Sequence, residues 1–344
     1  MGGGFTGCAA ALTLAQAGLK VRLHDAREIA GGASGRNGGF ALRGGAAPYD
    51  VTIETIGREQ AARYWEMTEQ ALGKLASLAG DACRRTGSLR LADDDEERDE
   101  LAVEFEALRA DGFAAEWVDE PLGGRFRAAI FHPGDAALQP ARWVRRLAVL
   151  AAEAGAEIRE HERVESLDRL DARQVLVATD GYLSGLLGSL EGLIVPTRGQ
   201  MIATEPLAER LFDCPHYGRH GFDYWQQTPD GRILAGGFRD SALQDEFTSE
   251  EVTTPGIQGA LESFVAGLVG RPLRVDYRWA GLFGLVMDFL PVVGRVPGEE
   301  RVWVAGGYSG HGNVLGLLCG ELVAQAILGR EARELAWFDP ARLA

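Results

Sequence analysis

The chain has 344 residues, 46% of them hydrophobic, and a formal net charge of -15 at pH 7. Length and composition place it among ordinary folded proteins with room for two domains. So large an excess of acid repels nucleic-acid phosphates and anionic lipid, which leaves a small neutral or cationic molecule as the expected partner rather than nucleic acid or a membrane surface.

The chain opens MGGGFTGCAA, in which Gly2, Gly4 and Gly7 satisfy the G-x-G-x-x-G pattern of a turn that brings backbone close to a dinucleotide pyrophosphate. Residues 5–17, FTGCAAALTLAQA, carry alanine and leucine at helical spacing and predict a helix that Gly18 stops. LKVRLHDA, residues 19–26, alternates apolar and polar side chains and predicts a strand ending at Asp25. That acid lies close to the spacing, roughly 20 residues, of one that binds ribose hydroxyls. Glycine turn, helix, strand and acid thus come in the order of a dinucleotide-binding unit. The strand that normally precedes the turn is missing, since only Met1 stands before Gly2. A central parallel strand is buried on both faces and its loss leaves neighbours unpaired, so a hydrophobic strand upstream of Gly2 is expected in the native polypeptide.

Residues 31–47, GGASGRNGGFALRGGAA, are too glycine-rich for a packed element and predict a loop held against something flat or charged. Helices are expected over about 58–80 and 93–111, the second with its acidic run DDDEERDE favourably placed at the N-terminus, and another over 141–154. AEIREHERV (156–164) and RQVLVATDGY (173–182) predict strands, the second arriving at a ligand crevice with Thr179 and Asp180. PTRGQMIATEPL (196–207) and GRILAGGFRD (231–240) predict strands of a second sheet. RVWVAGGYSGHGNVLGLLCGELVAQAIL (301–328) repeats the opening logic of strand, glycine turn and long helix. Its backbone amides and positive helix end can face an anion.

Four cysteines, Cys8, Cys83, Cys214 and Cys319, and the histidines His24, His132, His161, His216 and His220 show no metal-ligand spacing, so neither zinc, any other metal, nor a disulfide framework is expected. Cys8 and Cys319 fall on predicted helices and Cys83 and Cys214 in loops, all structural. A reducing, cytoplasmic setting is the default, and no apolar run is long enough for a membrane span.

GASGRNGGF (32–40), taken with the N-terminal unit, RGQMIATEPL (198–207) and AGGYSGHG (305–312), resembles the FAD-dependent amine and amino-acid oxidoreductases of the D-amino-acid oxidase family over nearly the whole chain. The resemblance implies an α/β fold: a discontinuous Rossmann-type FAD-binding domain from residues 1–44, 134–195 and 279–344, and a mixed-sheet α+β substrate domain from 45–133 and 196–278. It implies cofactor contacts from Gly2, Gly4, Gly7, Asp25 and Ala26, from Ser34, Arg36, Asn37, Gly38 and Gly39, from Val164 and Thr179, and from Gly307, Gly310, His311, Gly312 and Asn313. No covalent tether is evident, so FAD is expected to be non-covalent. The stretch RVESLDRLDARQVLVAT is shorter than the strand meander the family usually has there.

Amino-acid oxidases of this family usually place a carboxylate-clamping arginine two residues after a Trp-x-Gly strand, and Phe283 or its apolar neighbours stand there instead. Met287 to Gly294, M-D-x-x-P-x-x-G, is similar to the gamma-glutamylputrescine oxidase branch. The expected substrate is therefore a small amine, an alkylamine or gamma-glutamylputrescine-like molecule, held by apolar and cation-π contact with the FDYWQQ patch (222–227). The resemblance implies hydride transfer from the carbon beside the nitrogen to flavin, then hydrolysis of the imine, with oxygen or another carrier as electron acceptor. His311, Tyr224, Trp225 and Phe283 are the candidate catalytic residues. Two other readings stay open. One is a deaminating oxidase or dehydrogenase of glycine or a D-amino acid, using Arg278, Arg198 or Arg239 for the carboxylate; the other is a catalytically inactive nucleotide-binding protein. A nicotinamide dehydrogenase does not account for the Arg-Asn-Gly-Gly and Ser-Gly-His-Gly segments.

Overall fold

The computed structural model describes residues 1–183 and 185–343. The opening alanine-rich run forms the Phe5–Gln16 helix, buried nearly all round from Phe5 to Leu12, and the chain turns away at Gly18 with φ of 85°. Small side chains are needed there because the Gly312–Ile327 helix crosses it closely. A Cβ added at Gly320 would lie 2.5 Å from the Thr6 carbonyl oxygen and 2.9 Å from the Ala9 Cβ. Gly320→Leu should therefore lower the melting temperature markedly, at the upper end of the about 1–3 kcal/mol typical of overpacking. A melting curve checks this, and an unchanged midpoint would mean the two helices can separate at no cost.

Arg22–His24 pairs in parallel with Glu157–Arg159 to form one small sheet. A second places Val302–Gly306 between Val175–Val177, parallel, and Val292–Arg295, antiparallel. Met1 and Gly2 tie the facing edges of the two. The Gly2 amide donates to the His24 carbonyl at 2.9 Å, the Ala178 amide to the Met1 carbonyl at 2.9 Å, and the Met1 amino group to the Leu176 carbonyl at 2.7 Å. Met1 and Gly2 thus bridge the ends of the Arg22–His24 and Val175–Val177 strands. The short sheet Phe40–Ala41, Ala136–Leu138 and Cys83–Arg84 lies beside this assembly, with Trp143, Leu147 and Leu72 in the shared core.

The large sheet has eight strands in the order Val275–Leu285, Val195–Pro206, Arg232–Gly237, Asp223–Gln227, His216–Gly218, Ser88–Ala92, Ala128–His132 and Glu116–Asp119. Its pairings are antiparallel except for that between His216–Gly218 and Ser88–Ala92. The Pro255–Val269 helix covers one face, packing Ile257, Leu261 and Val265 on Ile202, Ile233 and Ala235. The acidic run starts the Asp95–Ala110 helix: Asp94 accepts from the Glu97 amide at 2.9 Å and Glu97 from the Asp93 amide at 2.8 Å, a reciprocal cap.

Four local expectations change. The glycine-rich loop contains a short Ala33–Arg36 helix, closed because the Asn37 side chain donates to the Ala33 and Ser34 carbonyls, and the Phe40–Ala41 strand. The strand expected over 156–164 stops at Arg159, since the Glu162 amide turns back to the Asp25 carbonyl. A Tyr49–Ile56 helix precedes Arg58–Ala79, its Asp50 in the first turn. Cys83 sits on a strand, not a loop. Among the described residues no helix is long and apolar enough to cross a membrane.

Candidate active site

One cavity lies against the face of the large sheet opposite the Pro255–Val269 helix, and three glycine-rich turns line it. At the first, the Asp25 carboxylate accepts from the Gly3 amide at 2.5 Å and the Arg27 amide at 2.7 Å, while Ser34 Oγ accepts from the Phe5 amide at 3.1 Å. The amides of Gly4 and Thr6, which line the cavity, have no acceptor among the described residues. They form the positive end of a helix open to an anion.

The second turn is the Ser34–Gly39 loop, pinned from three directions. Asn37 Oδ1 accepts from the Gly39 amide at 2.9 Å and from Asn313 Nδ2 at 3.1 Å, and Asn313 also donates to the Phe40 carbonyl at 2.7 Å. Gln226 donates to the Gly38 carbonyl and Trp279 Nε1 to the Arg36 carbonyl at 2.7 Å. The Arg36 side chain acts as a strut, donating to the Ala280 carbonyl at 3.3 Å and to Glu251 at 3.4 Å. Glu251 also takes Arg27 and the Tyr182 hydroxyl, strapping the segment before the Pro255–Val269 helix onto the glycine turn.

The third turn, 307–313, hangs on Asp180. Its two carboxylate oxygens accept from the Gly284 and Gly307 amides, each at 2.8 Å, and its φ is 48°. Burial raises its carboxyl pKa against the pull of these amides. Asp180 lines the cavity and was legible only as an acid ending an apolar strand.

A family model described as FAD dependent oxidoreductase, DAO, matches residues 1–326. The chain belongs to that family. Gamma-glutamylputrescine oxidoreductase of Escherichia coli (strain K12) is 28% identical, with 97% of this chain and 84% of that protein covered. Glycine oxidase of Bacillus licheniformis is 25% identical over 97% and 93%. The crystal structure of L-proline dehydrogenase from P. horikoshii superposes with a TM-score of 0.81 at 22% identity, covering 99% of this chain and 96% of that one. The site of this FAD-dependent oxidoreductase fits its cofactor. It offers open amides at a helix N-terminus, an acid at the end of the neighbouring strand, and glycines where a Cβ would fill the cradle: one at Gly4 would lie 2.6 Å from Ser34 Oγ.

The predicted residues of this oxidoreductase divide into distinct groups. Gly4, Ser34, Arg36, Asn37, Gly38, Gly310, His311, Gly312 and Asn313 line the cavity, as do Tyr224 and Phe283. Gly2 and Gly7 build the first turn, and Ala26 follows the Asp25 carboxylate. Thr179 and Gly307 flank the Asp180 clamp, Gly39 is fixed by Asn37, and Val164 lies two residues past the Glu162 bond to Asp25. Trp225 is the correction. Strand alternation sends it to the opposite face from Tyr224, where it is 1% exposed and stacks on His216 at 5.0 Å, so it is core and not a pocket residue. Tyr217, His220, Met201, Tyr308 and Arg239 also line the cavity.

His311 is half-buried, its Nδ1 buried and without a hydrogen-bond partner among the described residues, and burial pushes its pKa down to about 4. It is neutral at neutral pH and carries no fixed charge. Burial likewise pushes His132 to about 3 and His216 to about 4. Because these imidazoles stay neutral when folded but bind protons when unfolded, they cost stability as pH falls from about 6.5 towards 4, each by up to about 1.4 kcal/mol per pH unit. The raised carboxyls of Asp135 and Asp180 act in the opposite sense. The histidine contribution is isolated by His132→Gln: proton uptake on unfolding at pH 5 should fall by about one per chain. Unchanged uptake would mean His132 is already protonated in the folded state.

Proposed function

We propose that this chain oxidises the C–N bond of a small amine with non-covalently held FAD, releasing an imine for hydrolysis. The observation that carries the reading is the convergence of the three glycine turns on one cavity whose other wall is aromatic, with Phe40 edge-on to Tyr224 at 5.8 Å and Phe283 beside them. The Gly2–Gly7 turn would hold the pyrophosphate, Asp25 the ribose, and the 34–39 loop and 310–313 turn the ring system. Bound there, FAD supplies a two-electron sink for the C–H bond beside nitrogen.

The protein's own residues bind, orient and exclude water. Tyr224 and Phe283 fix the flat face against which an amine carbon rests. Asp180 and His311 are poor general bases: the Asp180 carboxylate is committed to backbone amides, and burial, by pushing the His311 pKa down to about 4, makes its imidazole a weak proton acceptor. On this reading the amine reacts in its neutral, lone-pair form, its proton lost to solvent. None of the four cysteines lines the cavity, which supports a dissociable cofactor. The proposed division of labour is a FAD domain from 1–44, 134–195 and 279–344 and a substrate domain from the remainder.

The visible spectrum of the purified chain tests the reading. Flavin bands that bleach on anaerobic addition of an amine support it, and a protein that stays colourless with added FAD sinks it in favour of the inactive nucleotide-binding alternative.

A further inference from the structure

We propose that Arg239 recognises a carboxylate on the substrate, so that the amine oxidised here is one that carries such a group. This rests on the reading above of an amine at the aromatic wall and names its class.

Three arginines stood as candidates for anion recognition, and the structure separates them. Arg198 is fully committed, donating to Glu246 from Nε at 2.9 Å and Nη2 at 2.7 Å in a buried fork. Arg278 is exposed and pairs with Glu262 at 2.8 Å and Gln258 at 3.1 Å. Arg239 alone of the three lines the cavity, and among the described residues it makes no hydrogen bond or ion pair. Its neighbour in sequence, Asp240, is taken by Arg219 at 2.8 Å, and Arg219 also holds Asp223.

An unpaired guanidinium is normally avoided in a sheltered site, because desolvation is not repaid until a counter-charge arrives. Here burial already pulls the Arg239 pKa below its ordinary value. The protein nevertheless holds the group in place. Its carbon lies 4.3 Å from the centre of the Phe222 ring and 5.6 Å from that of Phe283. Rings on its faces leave the N–H edges, which match a carboxylate fork, without protein acceptors. The residue before it, Phe238, has φ of 60°, strain that sets the direction in which Arg239 leaves the Arg232–Gly237 strand. Phe283, in the stretch where the family's arginine is expected, thus braces an arginine that arrives from the end of a strand two places away in the same sheet.

The placement has a chemical consequence. A fixed positive charge attracts a carboxylate and disfavours an ammonium nearby, so it both binds the substrate and shifts the bound amine towards the neutral form the oxidation needs. An alkylamine without a carboxylate would leave the half-buried guanidinium unpaired.

The test uses the FAD-loaded protein titrated with acetate, benzoate and butylamine, reading the flavin spectrum. Acetate and benzoate have no oxidisable C–N bond and should perturb the spectrum saturably; Arg239→Gln should weaken them roughly tenfold or more, with Arg239→Lys between, while FAD content stays at the wild-type level. Carboxylates that leave the spectrum unchanged, or that bind Arg239→Gln as tightly as wild type, overturn the proposal, as does butylamine binding more tightly than benzoate. A colourless protein would defeat the flavoenzyme reading instead. In that case a benzoate-induced rise in melting temperature, present in wild type and absent in Arg239→Gln, still supports the contact, and its absence in wild type overturns it.

Discussion

Gly7→Ala should yield a protein that no longer retains FAD. A Cβ there would stand 1.8 Å from the Gly2 carbonyl oxygen, and Gly2 has no room to retreat, since its own Cβ position is 2.3 Å from the Ala178 carbonyl oxygen. Both obstacles are backbone, so the turn must open and the amides of Gly4 and Thr6 must leave the cavity floor. A loss of affinity of at least about 100-fold is expected, on the order of 2.8 kcal/mol. The ratio of flavin to protein after purification, followed by titration with FAD, measures it. A soluble Gly7→Ala chain with full flavin would mean that the pyrophosphate does not lie at this turn.

Glu246→Ala should be strongly destabilising. The Arg198 and Glu246 side chains are 4% and 1% exposed, and Gln200 donates to the same carboxylate at 3.0 Å. Removing the carboxylate strands a buried guanidinium, at about 3–5 kcal/mol, a large part of the about 5–15 kcal/mol that holds a typical domain. The apolar pair Arg198→Met with Glu246→Leu should recover most of it, because the stranded charge and not the missing contact is the cost. Denaturant unfolding of the three forms distinguishes these outcomes, and a loss below about 1 kcal/mol in Glu246→Ala would show that water reaches Arg198.

Local signals carried much of the sequence reading. Alanine and leucine spacing with a terminal glycine located the Phe5–Gln16 helix to within a residue, and the acidic run marked the cap at Asp94 because capping is a matter of neighbours. Tyr224 and Trp225 show where that information ends. Alternation says that they face opposite ways, yet which face meets the cavity depends on the Pro255–Val269 helix covering one side, far along the chain. The three arginines pose the same problem. Their sequence neighbours do not show which are paired: Arg239, with Asp240 beside it, is the one left without a partner among the described residues, while Glu246 and Glu262, brought in by the fold, neutralise the other two. The 156–164 stretch alternates like a strand, but past Arg159 the chain turns at His161, φ 56°, and its amides return to Arg27 and Asp25, so the turn overrode the pattern.

The carboxylate of Asp180 gathers chain segments that are made at very different times. It caps the Val175–Val177 strand, yet the amides it grips belong to Gly284 and Gly307, and the turn it steadies leads into the helix ending at Ile327. While the polypeptide is still emerging from the ribosome, the Gly2–Gly7 turn and the 34–39 loop are already synthesised but the third wall is not. On the proposed reading, full enclosure of FAD therefore waits until Gly307 and the helix after it have been synthesised.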